Sequence, residues 1–89
     1  MKIKTFDEFL NDLNKYKCSW KNIPLIYLDE IVYDVYVKKD GENILEFQCV
    51  SFNPQNIEFE KIDLYYVLNK LYKIETYKID YIAKEITLY

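Results

Sequence analysis

The chain contains one glycine, Gly41, and it follows Asp40 between two runs in which apolar and polar residues alternate. An Asp-Gly step in that setting is a strong short-range signal for a β-hairpin, because glycine takes the left-handed backbone such turns require. Upstream, Ile31, Tyr33, Val35 and Val37 fall on one face, with Asp34, Tyr36 and Lys38 on the other. Downstream, Leu45, Phe47 and Cys49 oppose Glu46 and Gln48. A two-residue Asp40-Gly41 loop would set Val35 against Glu46 and leave both faces half polar. A three-residue loop, Lys39 to Gly41, sets Val35 against Leu45 and Tyr33 against Phe47, with Gly41 at the left-handed position of a bulge. The pattern predicts the three-residue loop.

Helical signals flank this hairpin. Thr5-Phe6-Asp7-Glu8 fits a capping box, in which the Thr5 hydroxyl accepts from the Glu8 amide and the Glu8 carboxylate accepts from the Thr5 amide. Phe6, Phe9, Leu10, Leu13 and Tyr16 then recur on one helical face, predicting a helix over about residues 6–16. Asp63 predicts the cap of a second helix, with Leu64, Val67, Leu68, Leu71 and Tyr72 as its apolar face and Lys70 and Lys73 at its C-terminal dipole. Residues 18–24 read as a connection anchored to the core by Trp20, and residues 25–28 as an apolar run that favours strand over helix. Asn53-Pro54-Gln55-Asn56 is a break. Ile57, Phe59 and Lys61 make a further strand, and the tail alternates through Tyr77, Ile79 and Tyr81, turns at 81–84, and resumes at Ile86 and Leu88. The predicted order is α-β-β-β-α-β-β, leaving out the 25–28 run, which is too short to classify between strand and helix. It implies one α+β domain over residues 1–89, a mostly antiparallel sheet with two helices on one face.

Composition narrows function. The chain has no histidine and, since all twelve of its basic residues are lysine, no arginine. Those absences remove the usual general base and the bidentate fork that grips phosphate or guanine. One glycine cannot build a phosphate-binding loop. Thr5, Ser19 and Ser51 adjoin no activating group. Cys18 and Cys49 have neither metal-ligand spacing nor a histidine partner, so they are expected as free thiols, Cys49 buried. No enzyme activity, cofactor or metal is expected. With no apolar run of spanning length and no secretory N-terminal stretch, a cytoplasmic location is expected and membrane association is not. The abundance of Ile, Asn, Lys and Tyr fits A/T-rich coding, as in some bacteria and their phages.

Charge is uneven. Residues 25–63 hold three lysines and nine acids, a balance of −6, within a chain whose net charge is −3. Asp34 and Glu46 share the sheet face the core does not use, with Tyr36 and Gln48 between them, and Asp29, Glu30, Asp40 and Glu42 lie at the strand ends. These eight residues are the expected interaction surface for a basic partner. Ten tyrosines favour an interface, with Tyr33, Tyr77 and Tyr81 expected in the core and Tyr36, Tyr65, Tyr66 and Tyr89 partly exposed.

The helix, three strands and second helix resemble the double-stranded-RNA-binding domain in element order. That family's lysine cluster at the start of its last helix is replaced here by Lys61-Ile62-Asp63-Leu64-Tyr65, so direct nucleic-acid binding is not expected. The expected function is a small acidic protein-binding module. Its most concrete form is a phage or mobile-element inhibitor of the anti-CRISPR type, docking on the nucleic-acid-binding surface of a basic host protein. The alternatives are an immunity protein or antitoxin against a basic toxin, or a self-associating structural subunit that forms homodimers.

Overall fold

The computed structural model describes residues 1–53, 55 and 58–89. Along the chain lie β1 (Lys2–Thr5), α1 (Phe6–Asn14), β2 (Lys17–Trp20), β3 (Ile23–Leu28), β4 (Ile31–Asp40) and β5 (Asn43–Asn53). They are followed by β6 (Glu58–Ile62), α2 (Leu64–Tyr72), β7 (Tyr77–Asp80) and β8 (Glu85–Leu88). The class is α+β, but the strands form two antiparallel sheets rather than one. Strands β2-β3-β4-β5-β6 make a five-stranded meander, and β1-β8-β7 a three-stranded sheet. The pattern did not disclose β1 and β2, each of four residues. With five strands between the helices, the element-order resemblance to the RNA-binding domain ends. The proposed strand residue Ile57, and Pro54 and Asn56 of the proposed break, lie outside the described residues.

Both helices start as their sequences dictate. The Glu8 amide donates to Thr5 Oγ1 at 3.1 Å and the Thr5 amide to Glu8 Oε1 at 2.9 Å, completing the capping box. The Tyr65 amide donates to Asp63 Oδ1 at 2.7 Å. Helix α1 stops at Asn14, short of the expected end, and Tyr16 lies beyond it, 43% exposed. Phe6, Phe9 and Leu13 of α1 and Leu64, Val67 and Leu68 of α2 enter one core on the inner face of the large sheet. There they meet Ile26, Leu28, Tyr33, Phe47 and Cys49, with Ile86 and Leu88 of β8 also within the cluster. Phe47 is the pivot, its ring edge-on to Phe6 at 4.9 Å and to Phe9 at 5.5 Å. Of the tyrosines assigned to the core, Tyr33 is buried and Tyr77 and Tyr81 pack against it.

The central hairpin corrects the predicted loop and its register. Asp40 pairs with Asn43, so Gly41 and Glu42 form a two-residue turn with Gly41 at φ 60°. Only the first of the two turn residues is left-handed, the dihedral signature of a type II′ turn. Continued without interruption, that register would put Val37 opposite Glu46 and Val35 opposite Gln48, burying polar groups. A bulge between Lys38 and Lys39 prevents this: Lys38 pairs with Glu46 and Lys39 with Ile44, expelling Leu45, which is 50% exposed. Odd then faces odd, as the alternation demands, with Tyr33 against Ser51, Val35 against Cys49 and Val37 against Phe47. Burial of the apolar face decides the register, and a bulge rather than a longer loop achieves it.

Trp20 also differs from expectation. It ends β2 and packs on the opposite, outer face of the large sheet, its ring 4.8 Å from that of Phe52. Trp20 and Phe52 stand on strands three spacings apart, about 14 Å in a flat sheet. The sheet therefore curls around its outer face, which explains why Leu25 and Phe52 are buried yet stand outside the main core cluster.

A polar clasp joins three elements on the far side of the core. Asp12 of α1 accepts from the Tyr72 hydroxyl of α2 at 2.6 Å and pairs with Lys4 of β1 at 3.0 Å, while Lys15 stands at 3.6 Å. The Tyr72 hydrogen bond, then Lys4, hold the Asp12 carboxyl below the usual aspartate range. A lowered native pKa stabilises the fold above the unfolded value of 3.8 and stops doing so as pH falls through the native value. Asp12→Asn is expected to lose about 1 kcal/mol at pH 7. Urea unfolding at several pH values should show its gap from wild type closing below about pH 4. Gly41→Ala meets no atom within 4 Å, so its cost is backbone strain alone, expected at about 1 kcal/mol by the same assay.

Candidate functional site

The eight residues expected to form one interaction surface lie in three places. Asp34, Tyr36, Glu46 and Gln48 share the outer face of β4 and β5. Tyr36 stands opposite Gln48, whose side-chain amide donates to Glu46 at 3.3 Å. Lys38 lies directly across from Glu46, and Lys61 stands opposite Val50 in the row that contains Asp34. This stretch is therefore balanced in charge rather than acidic. Asp34 is half-buried, and burial raises its pKa. Asp40 and Glu42 stand at the Gly41 turn, where Glu42 faces the start of α1. Asp29 and Glu30 lie at the opposite end of β4.

That opposite end carries the more distinctive site. Tyr27 pairs with Val32, Val32 with Phe52, and Phe52 with Phe59, so one cross-strand row on the outer face runs over β3, β4, β5 and β6. The rings of Phe52 and Phe59 stack at 4.6 Å. Phe52 is only 3% exposed, whereas Tyr27 and Phe59, at the ends of the row, are 50% and 58% exposed. The row lines a groove of about 840 Å³, also bordered by Ile31, Ser51, Asn53 and Gln55. Its charged lining groups are Glu30, Glu58 and Glu60, with no lysine among the described residues. Of the eight expected residues, Glu30 alone reaches this groove. Beside it, Lys21 places its ammonium 4.7 Å from the Trp20 ring, so a cation already rests on the aromatic wall this row extends.

Local geometry fixes Glu30. The β3–β4 turn is Asp29-Glu30, with φ of 50° and 64°, both left-handed as a type I′ turn requires. Aspartate tolerates that conformation, whereas glutamate has no short side chain to relieve it. Asp29 pairs with Lys70 of α2 at 2.8 Å, an exposed contact that lowers the Asp29 pKa and raises that of Lys70. The pair ties the turn to α2 and leaves Glu30 on the groove.

Both cysteines are free, and burial pushes the Cys49 thiol up to about 12, which makes it a poor nucleophile. Among the described residues, no group of three or more acids or cysteines could hold a metal ion. No helix is long and apolar enough to cross a membrane. Compared with known proteins, the chain matches no family model, no curated protein and no solved structure.

Sequence reading missed Tyr27, Glu58, Phe59 and Glu60 as site residues, because only strand register brings them together. Glu58 and Glu60 did belong to the acidic middle segment, and that was the signal available. If Glu30 holds a strained backbone, Glu30→Gly should raise stability by up to about 1 kcal/mol. A thermal melt showing the midpoint unchanged or lowered would refute the strain.

Proposed function

We propose that the protein acts by binding rather than by catalysis, as a small acidic module that docks on a basic surface of another protein. The observation supporting this is the groove, where an aromatic row is exposed at both ends and the charged lining residues, among those described, are Glu30, Glu58 and Glu60. Carboxylates beside exposed rings suit lysine and arginine twice over. The acids meet the charge, and the rings take the aliphatic stems and the cation's field. Tyrosine and phenylalanine also supply the large, conformationally inexpensive contact area typical of interface anchors. A surface evolved to hold phosphates presents the matching cations. The concrete form of the proposal is thus an inhibitor, of the anti-CRISPR type, covering the nucleic-acid-binding surface of a host protein.

The test is affinity capture from a bacterial lysate with mass spectrometry, using wild type and the double variant Glu30→Gln/Glu60→Gln. The expected outcome is a lysine- and arginine-rich partner whose capture falls at least tenfold with the variant. Capture should also fall with added salt, since charges are screened over about 8 Å at physiological ionic strength. A partner retained equally by the variant and at high salt would overturn the reading.

A further inference from the structure

Among the described residues, the two sheets leave four edges, β1, β2, β6 and β7, each paired on one side only. Three carry lysine and no glutamate: Lys2 and Lys4 on β1, Lys17 on β2, and Lys78 on β7, whose last residue is Asp80. Lysine on an edge discourages another strand from adding, and repels a basic one. Strand β6 is different. It has five residues against four in each of the others, and reads Glu-Phe-Glu-Lys-Ile. Its first four residues are exposed, Phe59 by 58%, and the groove opens beside it.

Resting on the binding reading above, we propose that the basic partner presents an extended segment that adds to β6 as a sixth strand of the large sheet. The backbone of β6 supplies hydrogen-bonding groups on the side away from β5, and its side chains set the sequence the segment must carry. Alternation places Glu58 and Glu60 on one face of β6 and Phe59 on the other. On β5 the residues across from Glu58 and Glu60 are Asn53 and Ser51. A strand laid along β6 therefore meets acid, aromatic, acid in turn. Cross-strand pairing favours opposite charges facing one another and an apolar residue facing an aromatic ring. The matching segment is basic-apolar-basic, with the two cations on one face and a β-branched or aromatic residue between them on the other. Lys61, next along β6, disfavours a third cation and so sets the register.

The probe is a capped heptapeptide of lysine, valine and threonine carrying the lysine-valine-lysine order at its centre. Two controls accompany it: the same residues with the lysines adjacent, and the same order with alternate backbone amides N-methylated. Binding to the full chain is followed by amide NMR and hydrogen exchange. The alternating peptide should bind at least tenfold more tightly than either control, and should slow exchange at the β6 amides that do not bond to β5. Glu60→Lys should weaken it at least tenfold, and the milder Glu60→Gln several-fold, with the spectrum of the free protein otherwise preserved. Equal binding of the N-methylated peptide, or no added protection on β6, overturns strand addition and leaves standing the reading of an acidic groove for a basic partner. Failure of every basic peptide to bind overturns both.

Discussion

Phe47 is the residue on which the two halves of the protein rest. It belongs to β5, the longest strand, but its ring receives Phe6 and Phe9 of the first helix and approaches Tyr81 of the last turn at 6.4 Å. The Tyr81 hydroxyl in turn accepts from the Phe47 amide at 3.4 Å. Edge-to-face rings of this kind contribute about 0.5–1.5 kcal/mol each beyond the area they bury. Their directionality matters more, because it fixes how α1 sits on the sheet. The bulge at Leu45 follows from the same demand. Phe47 must face inward beside Val37, and the backbone is distorted by one residue so that it can.

The outer face is the counterpart of that arrangement. With both helices packed on the inner side, the apolar residues of the outer face have no helix to cover them. The sheet curls instead, bringing Trp20 onto Phe52 and shielding Leu25. Curling protects the middle of the row but not its ends, so Tyr27 and Phe59 stay open. The groove is what remains of an apolar surface that the chain covers only in part. Its acidic rim keeps that surface soluble and, on the proposed function, selects what touches it.

How much of this the sequence discloses depends on how far apart the deciding residues lie. The caps at Thr5 and Asp63 are local and were legible, at Thr5 down to the partner atoms. So was the alternation of β4, and with it the rule that odd positions face odd. The loop length was not, because two solutions satisfy that rule and the bulge is a property of the packed sheet. Strand β1 escaped notice because it has one apolar residue, Ile3, and pairs with β8 at the far end of the chain. The turn at 81–84 has no glycine or asparagine to serve as its turn residue. Asp80 supplies one, accepting from the amides of Ile82 and Ala83 at 3.0 and 2.9 Å. The site suffered most. Tyr27, Val32, Phe52 and Phe59 span more than thirty positions, and only four strands in register make them neighbours.

The pairing of β1 with β8 sets how the molecule responds to tension. Lys2 lies across from Leu88 and Thr5 across from Glu85, so residues 1 and 89 emerge from the same end of one antiparallel pair. A pull on those two points does not load the strand pair in shear, with every hydrogen bond resisting at once. It opens the pairs in sequence from Lys2–Leu88 inward, like a zip, each yielding before the next is strained. Once β1 is free, Lys4 is drawn from Asp12 and the clasp between the helices loses one of its members. Drawn apart at residues 1 and 89, the protein gives way first at the three-stranded sheet, while the five-stranded meander that carries the groove is still closed.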